Sequence, residues 1–168
     1  IEPEEVRHLR LDPETRTSLI RKLVLPKQTN EAHKFIREGV KAYPELYFAR
    51  FVVLGEGDSE EVVLPRLAKS FGMSIDRISV SVVPLGGRHV NHMWRLLEQL
   101  EIPYVTLLDF DRERGGGGWG RIKYALKQLL EIGRSEDEVL VYQNNGKKKR
   151  ISLETLEKLH ERDVAEID

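Results

Sequence analysis

Cysteine is absent from all 168 residues. Its absence removes disulfides and thiolate metal sites together and fits a reducing compartment. No apolar run approaches the ~20 residues that a membrane-crossing helix needs, and no signal-like segment opens the chain. The expectation is a soluble, cytoplasmic chain with no membrane partner. A surplus of one charge is also missing. With 27 Lys+Arg against 28 Asp+Glu, no global basic field advertises nucleic acid, so any polyanion has to be held locally or through metal. There is no Gly-x-x-x-x-Gly-Lys-Ser/Thr string, which excludes a P-loop, and no internal repeat. What is present, 40% hydrophobic residues, suffices for one domain-sized core.

The centre of the chain is Phe51-Val52-Val53-Leu54-Gly55-Glu56-Gly57-Asp58-Ser59-Glu60-Glu61. Apolar residues rich in β-branching, stopped by glycine and followed by acids that open a helix, predict a buried parallel strand delivering carboxylates to the sheet's C-terminal edge. Open α/β sheets do their chemistry at that edge.

In chain order, residues 5–11 and 17–25 predict two lead-in strands around an Asp12-Pro13 turn, ending before Pro26. A helix is expected from its cap at Asn30 to the Tyr43-Pro44 break, with Ala32, Phe35, Ile36 and Val40 on one face. A helix over about 59–71 follows the central strand, with Val62, Val63, Leu67 and Phe71 as its inner face, Gly72 as its stop and a bend or late start at Pro65. Residues 78–83 predict a second strand, and Val90, Met93, Trp94, Leu97 and Leu100 a helix. Residues 104–108 predict a third strand running into Asp109-Phe110-Asp111.

The tract Gly115 to Gly118 precedes a helix striped by Ile122, Ala125, Leu126, Leu129 and Leu130. Residues 139–142 predict a fourth strand, Asn144-Asn145-Gly146 a turn, Lys147 to Arg150 a basic run, and 152–161 a helix that Ser152 caps. Strands alternating with helical crossovers describe an α/β fold: a doubly wound, mainly parallel four-stranded sheet flanked by helices. Trp94, Met93 and Trp119 are expected in the core.

Glu56 and Asp109 stand just past two apolar strands. Although far apart in sequence, such strand ends share one edge of a parallel sheet and can converge. Carboxylates gathered at neutral pH repel unless a cation lies between them, and hard oxygen donors favour Mg²⁺ or Mn²⁺. Glu60, four residues after Glu56, reaches the same side if the helix begins by Asp58. Asp111 joins Asp109 on one side of an extended segment. Each acid also has a structural reading: Asp58 with Glu61 as a capping pair, Glu60 and Glu61 as acids favoured at a helix start. Gly86-Gly87-Arg88-His89 offers a cation and an imidazole to a phosphate at the same edge. The glycine tract reads equally as a loop near a large substrate or as a plain connection.

Three strings carry a resemblance: 54–61 (Leu-Gly-Glu-Gly-Asp-Ser-Glu-Glu), 83–92 (Val-Pro-Leu-Gly-Gly-Arg-His-Val-Asn-His) and 117–123 (Gly-Gly-Trp-Gly-Arg-Ile-Lys). A strand-Glu-Gly turn followed by a strand-Asp-x-Asp turn resembles the Toprim domain of topoisomerases, primases and some nucleases. The strings themselves are most similar to the class 2 nuclease domain of the OLD (overcoming lysogenization defect) family.

The resemblance implies a Toprim-type fold over residues 45–168, preceded by a 1–44 lead-in that links to an upstream ABC-type ATPase, the only route by which ATP would enter. It implies a DNA endonuclease or nickase using two divalent ions, Mg²⁺ or Mn²⁺, with Glu56, Glu60, Asp109 and Asp111 as catalytic metal ligands. Arg88, His89 and Lys123 are the expected phosphate contacts. DNA and the ATPase part are the expected partners, with room for a homodimer. A further C-terminal acidic motif and lysine are expected beyond Asp168, and the start at Ile1 fits a piece of a longer protein. The rival readings are a topoisomerase- or primase-type module, a receiver-like regulator and a non-catalytic metal-binding or dimerising domain.

Overall fold

The computed structural model describes residues 2–12, 14–25, 31–85, 90–112 and 114–158. They fall into two compact units, residues 1–108 and 109–168.

The first unit opens with β1 (Arg7–Leu11) and β2 (Ser18–Lys22), paired antiparallel with Leu9 opposite Ile20. The expected Asp12 turn closes them: its Oδ1 accepts the Glu14 and Thr15 N–H groups at 2.8 and 3.3 Å, an aspartate mimicking a backbone turn. Helix α1 (Glu31–Ala42) stops before Pro44, which starts a 3-10 turn to Phe48. Its expected cap, Asn30, lies outside the described residues.

Strand β3 (Phe51–Gly55) is the centre of a parallel sheet, between β4 (Val80–Pro84) and β5 (Tyr104–Thr106). Leu54 pairs with Val83 on one side and Thr106 on the other. Helices α2 (Asp58–Ser70) and α3 (Val90–Leu100) make the crossovers. The core forms where apolar faces meet: Val52 and Leu54 of β3, Val83 of β4, Ile36 and Val40 of α1, and Met93, Trp94, Leu96, Leu97 and Leu100 of α3 are all buried. Each such side chain contributes about 1.5–3 kcal/mol by leaving water. Trp94 also donates its indole N–H to Thr106 Oγ1 at 2.7 Å, so its one polar atom is satisfied inside the core.

Two expectations need correction in this unit. Val62, Val63, Leu67 and Phe71 are exposed; the half-buried side of α2 is Glu60, Leu64, Pro65 and Ala68. The second strand also begins later than expected, because residues 76–78 form a 3-10 turn and Ser79 takes a left-handed φ of 54°.

The second unit contains α4 (Trp119–Glu131), α5 (Glu136–Val139), the antiparallel pair β6 (Val141–Asn144) and β7 (Lys147–Arg150), and α6 (Leu153–Lys158). The segment expected as a fourth parallel strand is instead the end of α5 and the start of a hairpin, so the parallel sheet has three strands among the described residues. The cause is Asn145-Gly146. With φ of 48° and 71°, they make the two-residue turn that folds the chain straight back, and the basic run becomes the return strand. Ser152 caps α6, accepting the Thr155 N–H at 3.1 Å. The α4 stripe, Ile122 to Leu130, is half-buried, as is Trp119, so neither forms the core expected of them.

Among the described residues, no helix is long and apolar enough to cross a membrane.

Candidate functional site

The first acid-bearing turn is built by close packing. Gly55 ends β3, and a Cβ placed there would lie 2.5 Å from Glu60 Cβ and 2.8 Å from Glu60 Cγ, closer than carbon atoms approach. The missing side chain lets the first turn of α2 fold onto the strand end. The Glu60 carboxylate then reaches back, accepting the Gly57 N–H at 2.9 Å and the Ser59 hydroxyl at 2.9 Å. The Gly57 N–H foremost, then the Ser59 hydroxyl, hold the Glu60 carboxyl below its usual range, because both donors favour the anion. Gly57, not Asp58, is the cap residue, and Glu60, not Glu61, is its acidic partner. Glu56 is half-buried in the turn just before that cap.

The second acid-bearing turn leaves β5. The ladder to β3 continues one residue past the strand, where the Leu107 N–H donates to the Leu54 carbonyl at 2.8 Å. The turns after β3 and β5 therefore depart from neighbouring parallel strands at one sheet edge, as the sequence predicts.

Asp109 opens the second unit and is exposed. Asp111 takes a left-handed φ of 45°, which aspartate tolerates better than most residues. Its carbonyl accepts the Arg114 N–H at 2.9 Å, Gly117 N–H bonds to the Arg114 carbonyl at 2.8 Å, and Gly118 N–H to the Phe110 carbonyl at 2.6 Å. A Cβ on Gly117 would stand 1.8 Å from the Asp111 carbonyl oxygen. The glycine tract is thus cinched around Asp111, and only a residue without a side chain fits there. The loop brings the first turn of α4 to the acid: Arg121 Nη2 lies 3.6 Å from Asp111 Oδ2, and Arg114 Nη1 is also at 3.6 Å.

Of the expected phosphate contacts, Arg88 and His89 lie outside the described residues. Lys123 donates from Nζ to the Glu157 carbonyl at 2.7 Å. Among the described residues of either unit, no three His, Asp or Glu side chains gather at metal-holding spacing. The donor chemistry nevertheless suits a hard divalent cation, since all four expected ligands are carboxylates. Arg121 and Arg114 have no role in the sequence reading. Ion pairs across a glycine loop leave no periodic trace, and the only signal was the Gly-Trp-Gly-Arg string itself.

A cavity of about 750 Å³ in the first unit is lined by Val6, His8, Leu9, Val40, Tyr47 and Phe48 among others. Burial pushes the Tyr47 hydroxyl up to about 12 and lowers His8. None of the expected site residues lines it, so its size alone does not make it the reactive site.

A family profile described as the overcoming lysogenization defect protein-like TOPRIM domain matches residues 47–111. Endonuclease GajA of Bacillus cereus (strain HuB5-5) is 27% identical in an alignment 99 residues long that covers 55% of this chain and 14% of that protein. The chain thus spans about one seventh of the curated relative it matches. Two structures of the C-terminal region of the Xanthomonas campestris pv. campestris OLD protein are 28% and 32% identical, covering 55% and 57% of this chain and 47% of theirs, with TM-scores of 0.43 and 0.44. Residues 47–111, which run through β3, α2, β4, α3 and β5 to Asp111, are thus similar to an OLD-like Toprim domain.

Proposed function

We propose that this chain is the nuclease part of an OLD-type ATPase–nuclease and hydrolyses DNA phosphodiester bonds with divalent ions held by Glu56, Glu60, Asp109 and Asp111. The observation that carries the reading is the departure of both acid-bearing turns from adjacent parallel strands, with Leu107 still bonded to Leu54. The similarity to an endonuclease over 99 residues supports the reaction class.

When bound, a pair of Mg²⁺ or Mn²⁺ ions would supply a water of lowered pKa and neutralise charge on the leaving oxygen. The chain's own residues do the rest. Glu60 stays ionised because two donors hold its carboxylate, so it remains a ligand at mildly acidic pH. Gly55 lets that carboxylate sit against the strand end. Arg88, His89 and Lys123 provide the positive charge and donors that a phosphate backbone accepts, contacts that position DNA without reading its sequence. The upstream ATPase partner and a homodimer belong to the same proposal.

Incubation with supercoiled plasmid and Mg²⁺ or Mn²⁺, beside Glu56→Ala and Asp109→Ala, tests it. Metal-dependent nicked and linear products that disappear in both variants are expected. Equal cleavage by all three proteins would sink the ligand assignment, and no cleavage by the wild type would sink the nuclease reading for this chain.

A further inference from the structure

Asp111 is bracketed by two guanidiniums at the same 3.6 Å distance, but the two are not equivalent. The Arg114 side chain is 80% exposed and the Arg121 side chain 16%, against 23% for Asp111. An exposed pair is screened by water and contributes little, whereas a largely buried charge beside a carboxylate acts through a lower effective dielectric. Arg121 is also fixed at its base. It lies in the first turn of α4, its N–H donates to the Gly118 carbonyl at 3.1 Å, and Gly118 is tied to Phe110. The Asp109–Asp111 turn and the Gly117–Arg121 segment are thus one structural piece, in which the glycines bring a cation up to an acid.

We propose that Arg121 is the resident counter-ion of Asp111, and that its guanidinium and a divalent cation compete for that carboxylate. The inference rests on Asp111 being a metal ligand. Arg121 is a positioning residue: it keeps the Asp111 carboxylate aimed, and it yields that carboxylate as the metal binds. A cation approaching Asp111 meets the field of Arg121, so metal affinity is held down while the loop is kept in its left-handed turn. Arg114, out in solvent, contributes little to this competition.

Mn²⁺ binding by the full chain, followed by the loss of the free-ion paramagnetic resonance signal, reads this directly without any cleavage assay. At low salt, Arg121→Gln is expected to bind Mn²⁺ about tenfold more tightly than wild type, with the gain shrinking as salt is added. Arg121→Lys, which keeps the charge, should stay near wild type, and Arg114→Gln should change affinity far less than Arg121→Gln. Asp111→Asn should weaken binding and cancel the gain when combined with Arg121→Gln. A merely structural role for Arg121 predicts weaker binding in Arg121→Gln, so unchanged or weaker binding there, with Asp111→Asn still impaired, overturns this inference alone. Wild-type affinity in Asp111→Asn overturns the ligand assignment and the competition together.

Discussion

Gly55 is the position where a single methyl group would do most to the first acid-bearing turn. The added carbon would fall 2.5 Å from Glu60 Cβ, and the neighbour it meets is the root of a side chain rather than its flexible end. Relief then requires the start of α2 to move off the strand. Gly55→Ala is expected to cost about 1–3 kcal/mol, as overpacking does, seen as a lower urea midpoint with an unchanged slope. Gly57→Ala is the internal comparison: its nearest neighbour is 3.9 Å away and its φ of −141° is ordinary extended backbone, so its cost should stay below that of Gly55→Ala. Equal effects would show that space at Gly55 is not what matters. The sequence marks both glycines as sharp-turn residues, but only the approach of Glu60 separates the indispensable one from the tolerant one.

At the scale of elements, α2 shows where periodicity stops being informative. Its sequence carries two apolar stripes, one through Val63, Leu67 and Phe71 and another through Leu64, Pro65 and Ala68, and a helical repeat identifies residues that share a face without saying which face meets the sheet. With the Glu60 carboxylate tied to the Gly57 N–H, it is the second stripe that is half-buried. Pro65 lies in the interior of this helix, so the Glu61 carbonyl has no N–H to accept from four residues on. Pro65→Ala restores that donor. The interior proline penalty is about 3 kcal/mol, partly offset by the stiffness proline lends the unfolded chain. A net stabilisation of about 1–2 kcal/mol is therefore expected, read as a higher Tm. A lower Tm would mean that the packing of the half-buried ring outweighs the lost hydrogen bond. By contrast, α3 has one wide apolar face, and every residue of its expected stripe is buried.

At the scale of the whole molecule, the two units differ in what holds them. The first has a continuous core through β3, α1 and α3, with Val52, Leu54 and Leu97 fully buried, whereas α4 of the second is only half-buried along its length. Local opening costs least where few apolar side chains are buried. In hydrogen exchange on the full chain, the amides of Val52 and Leu54 should be protected about tenfold or more beyond those of Leu126 and Leu129. Equal protection would mean that the chain unfolds as one cooperative body.

The sequence by itself determined the α/β class, the central strand and its acidic turn, the buried face of α3 and the Asn145-Gly146 turn. Each of these is written in local periodicity or in the backbone freedom of a few residues. Tertiary structure decided the rest: that β3 lies between β4 and β5, that the segment from residue 139 turns back on itself instead of extending the sheet, which stripe of α2 faces inward, and that the glycine tract folds round Asp111 to set Arg121 beside it. These depend on which surfaces meet and on how closely two backbones approach, and residue spacing along a chain does not encode either.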